Sequence, residues 1–94
     1  MNNAKQIIEA MIRKRGINKQ DAFRIMKITR PTFIKYMQLP MMMNGHRKQR
    51  LADALGVSVE VINRIIYSRQ PLTFPEMEEV LEQVKENRDG VQAG

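Results

Sequence analysis

The stretch ADALGVSVEVINRI, residues 52–65, decides the fold that this sequence predicts. Its small and apolar residues run into Gly56, a serine follows two positions later, and isoleucines then recur at helical spacing. Glycine suits the end of one helix, and a serine side chain can cap the start of the next. The stretch therefore predicts two short helices joined by a tight turn, which is a helix-turn-helix.

A weaker copy of this pattern lies 29 residues upstream. The matching positions are Lys48-Gln49 with Lys19-Gln20, Val57-Ser58 with Ile28-Thr29, Ile62 with Phe33, Arg64 with Lys35, and Ile65 with Tyr36. Two such units in tandem favour a DNA-binding protein, since a helix-turn-helix places one of its helices in the major groove.

The composition limits the class of protein. The 94 residues, of which 43% are hydrophobic, are enough for one domain with one modest core. With no cysteine and a single histidine, we expect no disulfide and no thiolate or His-rich metal site. Charged residues interrupt the N-terminal apolar segment, and no segment is long enough to span a bilayer, so we expect a cytoplasmic protein without a membrane partner.

Charge is distributed unevenly along the chain. Residues 1–70 contain 14 lysines and arginines against 4 acidic residues, whereas residues 71–94 contain 2 against 6. A basic body with an acidic tail suits a body that meets a polyanion and a tail with another role. We therefore predict a DNA-binding domain in residues 1–70 and an acidic amphipathic helix with a tail in residues 71–94.

Helical periodicity predicts five helices in the basic body and a sixth after it, with no competing strand pattern, so the predicted fold class is all-α. The residues expected to cap helix starts are Asn3 with Gln6, Asn18 with Asp21, Thr29, Ser58, and Thr73 with Glu76. We expect the third helix to run to about Gln38 and the fourth from about His46 to Leu55. The expected core-facing residues are Ile7, Ile8, Met11, Ile12, Ala22, Phe23, Met26, Ile28, Phe33, Met37, Leu51, Ala54, Leu55, Val61, Ile62, Ile65 and Ile66.

The third helix, about residues 30–38, is the better candidate for the major groove. With Phe33 and Met37 turned to the core, the residues on or beside its outer face are Arg30, Pro31, Thr32, Ile34, Lys35 and Gln38. The planar guanidinium of Arg30 matches the two acceptors of guanine, and Ile34 can touch a thymine methyl group. Thr29, Thr32 and Lys35 supply donors for phosphates or base edges.

The fifth helix is a poorer candidate, although its unit matches the pattern more closely. Its outward positions are Val59, Glu60, Asn63 and Arg64. A carboxylate near the end that enters the groove repels phosphates. We therefore predict that residues 18–38 face DNA and that residues 46–67 support them.

Two segments, residues 18–33 and residues 51–60, resemble the lambda-repressor-like helix-turn-helix family, which includes the Cro proteins and the repressors of temperate phages. The resemblance covers roughly residues 4–68 and implies a five-helix DNA-binding domain. It implies that Asn18 and Lys19 touch phosphate, that Arg30 and Lys35 read bases, and that the segment from Asn44 to Lys48 holds the DNA backbone. The full set of predicted DNA-binding residues is Asn18, Lys19, Thr29, Arg30, Thr32, Ile34, Lys35, Gln38, His46, Arg47 and Lys48.

Three residues depart from the family pattern. Phe23 stands where the family usually has a small alanine, Lys27 where it has the turn glycine, and Pro31 where a polar residue is common. The bulk of Phe23 should push two helices apart or be matched by smaller neighbours. Lys27 should adopt either a left-handed backbone or a different turn.

The leading hypothesis is a sequence-specific transcriptional regulator, a repressor of phage or mobile-element type, that binds an inverted repeat in double-stranded DNA without a cofactor or a catalytic step. The apolar stripe of the sixth helix, formed by Met77, Val80, Leu81 and Val84, either covers the open end of the core or joins two copies into a homodimer through residues 72–86. The sequence leaves both roles open.

The alternative is a protein-binding adaptor or antirepressor built on a helix-turn-helix. Its working surface would be the loop Met41–Met43 together with the acidic sixth helix. The loop can instead fold over the edge of the core, and burial statistics favour this interpretation. RNA binding is less favoured because aromatic residues are scarce, and an enzyme is least favoured because no catalytic cluster or phosphate-binding loop is present.

Overall fold

The computed structural model describes residues 3–84, which form six α-helices and one short 3₁₀ turn, with no β-strand in that range. The helices are α1 (Ala4–Arg15), α2 (Lys19–Met26), α3 (Arg30–Gln38), α4 (Gly45–Leu55), α5 (Val59–Ile66) and α6 (Phe74–Gln83), and the 3₁₀ turn is Pro40–Met42. The predicted all-α class and the six helices are confirmed. None of the described helices combines the length and apolarity needed to cross a membrane.

Capping hydrogen bonds fix the starts of most helices. The Asn18 side chain accepts from the Asp21 amide at 2.8 Å while the Asp21 carboxylate accepts from the Asn18 amide, and Thr73 forms the same reciprocal pair with Glu76. Thr29 accepts from the Thr32 amide, also as predicted. Two sequence expectations are wrong. Ser58 precedes α5 without a side-chain capping bond, and the Asn3 side chain does not cap α1.

Asn3 has a tertiary role that local sequence does not reveal. Its side-chain oxygen accepts the Leu72 amide at 3.0 Å, and its side-chain nitrogen points to the Leu72 carbonyl at 3.5 Å. These bonds connect the start of α1 to the segment that leads into α6. The amide group is therefore used across 69 positions of sequence, which explains why it is not available to its own helix.

Three helix ends share one connector of three residues. Gly16-Ile17-Asn18, Lys27-Ile28-Thr29 and Gly56-Val57-Ser58 each place a left-handed residue first, an apolar residue second and the residue that precedes the next helix third. In each, the first two amides bond back to carbonyls of the preceding helix, as in the Schellman motif. Lys27 adopts φ 60° and ψ 45°, and it is the one non-glycine residue with positive φ in residues 3–84. The sequence predicted a left-handed backbone as one of two outcomes for Lys27, and that outcome is observed.

One core joins all six helices. The side chains of Ile7, Ile8 and Met11 are fully buried on α1, which contacts α3, α4, α5 and α6. Every predicted core residue is buried except Phe23 and Ile28, which are half-buried against the core. Pro40 and Met43 are buried as well, whereas Met41 and Met42 are exposed, so the methionine loop covers the core with one residue of three.

Helix α6 belongs to the same core as the basic body. Val80 is fully buried, Val84 is buried just beyond the helix end, and α6 packs on α1. On the outside, Arg64 of α5 pairs with Glu79 at 2.9 Å and lies 3.9 Å from Glu76. The apolar stripe therefore covers the core. Homodimerisation through residues 72–86 stays a prediction, and residues 85 and 86 lie outside the described range.

Replacing Lys27 by glycine should stabilise the protein. A left-handed backbone costs a non-glycine residue about 1–2 kcal/mol, and glycine avoids this cost. The greater entropy of glycine in the unfolded chain offsets about 0.4–1 kcal/mol of that gain. We expect a net gain of about 0.5–1 kcal/mol for Lys27→Gly, measured by urea unfolding. Gly16→Ala is the matched control, because no atom lies within 4 Å of the added Cβ and only the positive φ is penalised. It should destabilise by about 1 kcal/mol, and a loss of stability in Lys27→Gly would contradict the strain assigned to that residue.

The start of α6 should make stability depend on pH. The Thr73 amide and hydroxyl donate to the Glu76 carboxylate at 2.8 and 3.0 Å, and together with Arg64 they hold the pKa of Glu76 below its ordinary value of 4.5. The stabilisation is complete above pH 4.5 and is lost as the pH falls through the lower pKa of the folded state. Urea unfolding should therefore show a fall in stability below pH 4.5 that is smaller in Glu76→Gln. An equal loss of stability with falling pH in the two proteins would show that Glu76 does not contribute to the pH dependence of stability.

Candidate nucleic-acid interface

Helix α3 carries a polar outer surface over an apolar inner one. Phe33 and Met37 are buried, and Arg30, Ile34, Lys35 and Gln38 are exposed. Two threonines order the start of the helix, since the Thr29 and Thr32 hydroxyls lie 3.0 Å apart and Thr29 also accepts the Thr32 amide. The first turn contains Pro31 and no acidic residue, so the positive end of the helix dipole is not neutralised there.

A groove of about 690 Å³ runs beside this surface. Residues from α1, from α2 and its capping residue, and from α3 line it. Five predicted DNA-binding residues meet in the groove, namely Asn18, Lys19, Arg30, Ile34 and Gln38. Thr29, Thr32 and Lys35 belong to α3 or its cap but do not line the groove.

An ion pair lies within this basic groove. Lys19 Nζ is 2.9 Å from the Glu9 carboxylate, and the two side chains are 60% and 22% exposed. The charged residues that line the groove are Lys5, Lys19, Arg30 and Glu9, which leaves a net charge of two positive units. A lysine predicted to bind phosphate is thus already paired with a carboxylate of the same chain.

The remaining predicted residues form a second group at the start of α4. Asn44 caps this helix by accepting the Arg47 amide at 2.8 Å. His46 Nε2 accepts from Arg50 Nε at 3.0 Å. Lys48 Nζ donates to the Tyr67 hydroxyl at 3.2 Å and lies 4.9 Å from the centre of the Tyr67 ring. None of the three predicted residues His46, Arg47 and Lys48 lines the groove.

Sequence reasoning missed several residues of these two groups. Lys5 and Glu9 stand four positions apart on α1, and that spacing on a predicted helix could have placed them on one face. Tyr67 gave no such signal, because its contact with Lys48 crosses 19 positions of sequence. Gln20 lines the groove too.

Phe23 resolves the packing conflict expected from its size. The ring is half-buried, lines the groove and lies 5.9 Å from the Phe33 ring at a tilt of 52°. Its bulk therefore lies at the edge of the core, where a large side chain needs no compensating small neighbours. The expectation that Phe23 is a core residue of α2 is wrong for this reason.

The chemistry of both groups is that of a basic, hydrogen-bonding surface. Among residues 3–84, no cluster of three histidine, aspartate or glutamate side chains is arranged to hold a metal ion. The α4 start resembles the α3 start in lacking an acidic residue in its first turn, whereas α5 has Glu60 in its first turn.

Comparison of the chain with models of protein families, with curated proteins and with solved structures found no match in any of the three.

Proposed function

We propose that this protein is a sequence-specific DNA-binding regulator of transcription, a repressor of lambda-repressor-like type, with α3 in the major groove. The observation that supports this most strongly is the exposure of Arg30 and Lys35 on a helix whose inner side is firmly packed. A buried Arg30 or Lys35 would have excluded the proposal. The groove side chains add amides and cations next to the same helix.

The α3 helix suits base reading in its first turns. An α-helix fits the major groove of B-DNA, and residues near its N-terminus reach the base edges. In our proposal Arg30 bonds guanine through its two parallel donors, and Ile34 contacts a thymine methyl group. The Thr29, Thr32 and Lys35 side chains donate to phosphates or to base edges.

Helix α5 is less suited to this role. Its first turn contains Glu60, and Arg64, the basic residue on its outward side, is paired with Glu79 and lies near Glu76. The pairing raises the pKa of Arg64, chiefly through the hydrogen bond to Glu79. The guanidinium therefore stays protonated, and carboxylates of α6 balance its positive charge. We therefore assign α4 and α5 to supporting α3.

Phosphate contacts in the proposal come from both groups of residues. Asn18 and Lys19 lie at the start of α2, and Arg47 and Lys48 lie at the start of α4. Tyr67 holds Lys48 from the end of α5 and adds its own hydroxyl to the surface. Such contacts fix the position of a protein on DNA without selecting a sequence.

A homodimer on an inverted repeat completes the proposal. A two-fold arrangement places two reading helices about 34 Å apart, which is one turn of DNA. The segment 72–86 is the proposed dimer contact, and Phe74 at the start of α6 is 71% exposed and offers an apolar surface for it. The acidic residues of α6 keep this region away from DNA.

A protein-binding adaptor remains the second candidate because of one specific feature. Leu39, Met41 and Met42 are exposed by about half or more around the 3₁₀ turn, and exposed methionines suit adaptable protein contacts. Recovery of a partner protein with no binding to any duplex at low salt would favour this candidate over DNA binding.

Selection of binding sites from random duplex DNA tests the proposed function. We expect one preferred sequence with two-fold symmetry, and an affinity that falls about 10²-fold between 50 and 200 mM salt if four phosphates are neutralised.

Arg30→Ala should weaken binding to the preferred site by about 1–3 kcal/mol and relax selectivity at one base pair. Lys19→Gln removes the same charge and is the matched control, because it should weaken all sequences alike. An affinity for DNA that does not change between low and high salt would refute the proposed function.

Glu9 should restrain DNA binding through Lys19. Glu9→Gln removes the carboxylate that lies 2.9 Å from Lys19 Nζ, so the lysine can pair fully with phosphate. We expect this variant to bind duplex DNA about two- to fivefold more tightly than the original protein, measured by fluorescence anisotropy. An exposed ion pair contributes up to about 1 kcal/mol, which sets this range. In the Lys19→Gln background the same change should have little effect. An equal gain in both backgrounds would show that Glu9 acts through the general field and not through Lys19.

A further inference from the structure

The groove beside α3 has an apolar lining that phosphate contacts do not explain. Phe23, Phe33, Ile34 and Met37 contribute side chains to it. Phe23 is half-buried and Ile34 is 46% exposed, so part of this apolar surface faces water. Apolar surface in a concave site is stabilised when a ligand removes it from water.

The charge of the groove indicates which charge a ligand should carry. Glu9 pairs with Lys19, and among residues 3–84 no carboxylate lies within ion-pair distance of Lys5 or Arg30. Two cations without a carboxylate partner therefore border an apolar lining. This combination is complementary to an anionic group carried on an apolar body.

We propose that the groove is a binding site for a small amphipathic anion, a carboxylate attached to an aromatic ring or a branched carbon chain. The ring packs on Phe23 and Ile34, and the carboxylate bonds Arg30 in a planar, two-pronged arrangement with Lys5 beside it. The volume of about 690 Å³ lies within the range of small-molecule sites. This inference does not rest on DNA binding, since it concerns the free protein and a small molecule.

A consequence follows if the proposed function also holds. Arg30 cannot bond a ligand carboxylate and a guanine at the same time, so the anion and DNA would exclude each other. The ligand would then lower the affinity for DNA, and DNA would lower the affinity for the ligand by the same factor. The site would be that of an effector.

The probe is 4-phenylbutyrate, titrated into the full chain without DNA and followed by the amide signals in NMR spectra. We expect saturable shifts at the groove residues, with a dissociation constant on the order of 1 mM for a ligand of this size. The alcohol 4-phenylbutanol has the same apolar body without the charge, and it should bind at least about fivefold more weakly. Equal binding of acid and alcohol, or no saturable shift at millimolar concentrations, would overturn the proposal.

Two lysines on one helix provide the matched pair of variants. Lys5 and Lys14 are both exposed on α1, but nine residues are about two and a half helical turns, so they lie on opposite sides. Lys5→Gln should weaken 4-phenylbutyrate about threefold or more, while Lys14→Gln should leave it unchanged. Equal losses in the two variants would mean that net charge attracts the anion without a defined site. Neither lysine packs in the core, so both variants are expected to fold.

Discussion

The apolar stripe of α1 is the contact on which the rest of the structure depends. Ile7, Ile8 and Met11 are fully buried, and the helix touches α3, α4, α5 and α6. Burial of each such side chain contributes about 1.5–3 kcal/mol, so the stripe outweighs any single hydrogen bond or ion pair on the surface. The same helix also turns Lys5 and Glu9 toward the groove next to α3. Helix α1, which lies outside the α2–α3 unit, therefore contributes both to the position of α3 and to the charge around it.

Local sequence patterns account for the helices but not for the groove. Periodicity and capping pairs predicted the elements and most buried residues, because both depend on neighbours within a few positions. The connector shared by residues 16–18, 27–29 and 56–58 is equally local. Apart from the missing side-chain cap at Ser58, the failures are tertiary. Asn3 bonds Leu72 and not its own helix, and Lys48 is held by Tyr67. The pairing of Glu9 with Lys19 joins two different helices, which no periodicity within one helix can reveal.

Ion pairs distinguish the outward basic residues of α5 and α3. Glu79 and Glu76 of α6 pair with Arg64 of α5, whereas Arg30 and Lys35 of α3 have no ion-pair partner within the described range. Helix α6 therefore shares ion pairs and one core with the basic body. This favours α3 over α5 as the functional helix for a reason that is independent of the family resemblance.

Two locally unfavourable features of the chain lie at α2. Its end contains Lys27 in a left-handed backbone, and its middle exposes part of the Phe23 ring. Each could be relieved by one substitution without disturbing the buried stripe of α1. Departures from local rules that cluster in one place are expected where function constrains the residues. Because α2 borders the groove and leads into α3, the cluster supports the two proposals that place ligands at this corner of the molecule.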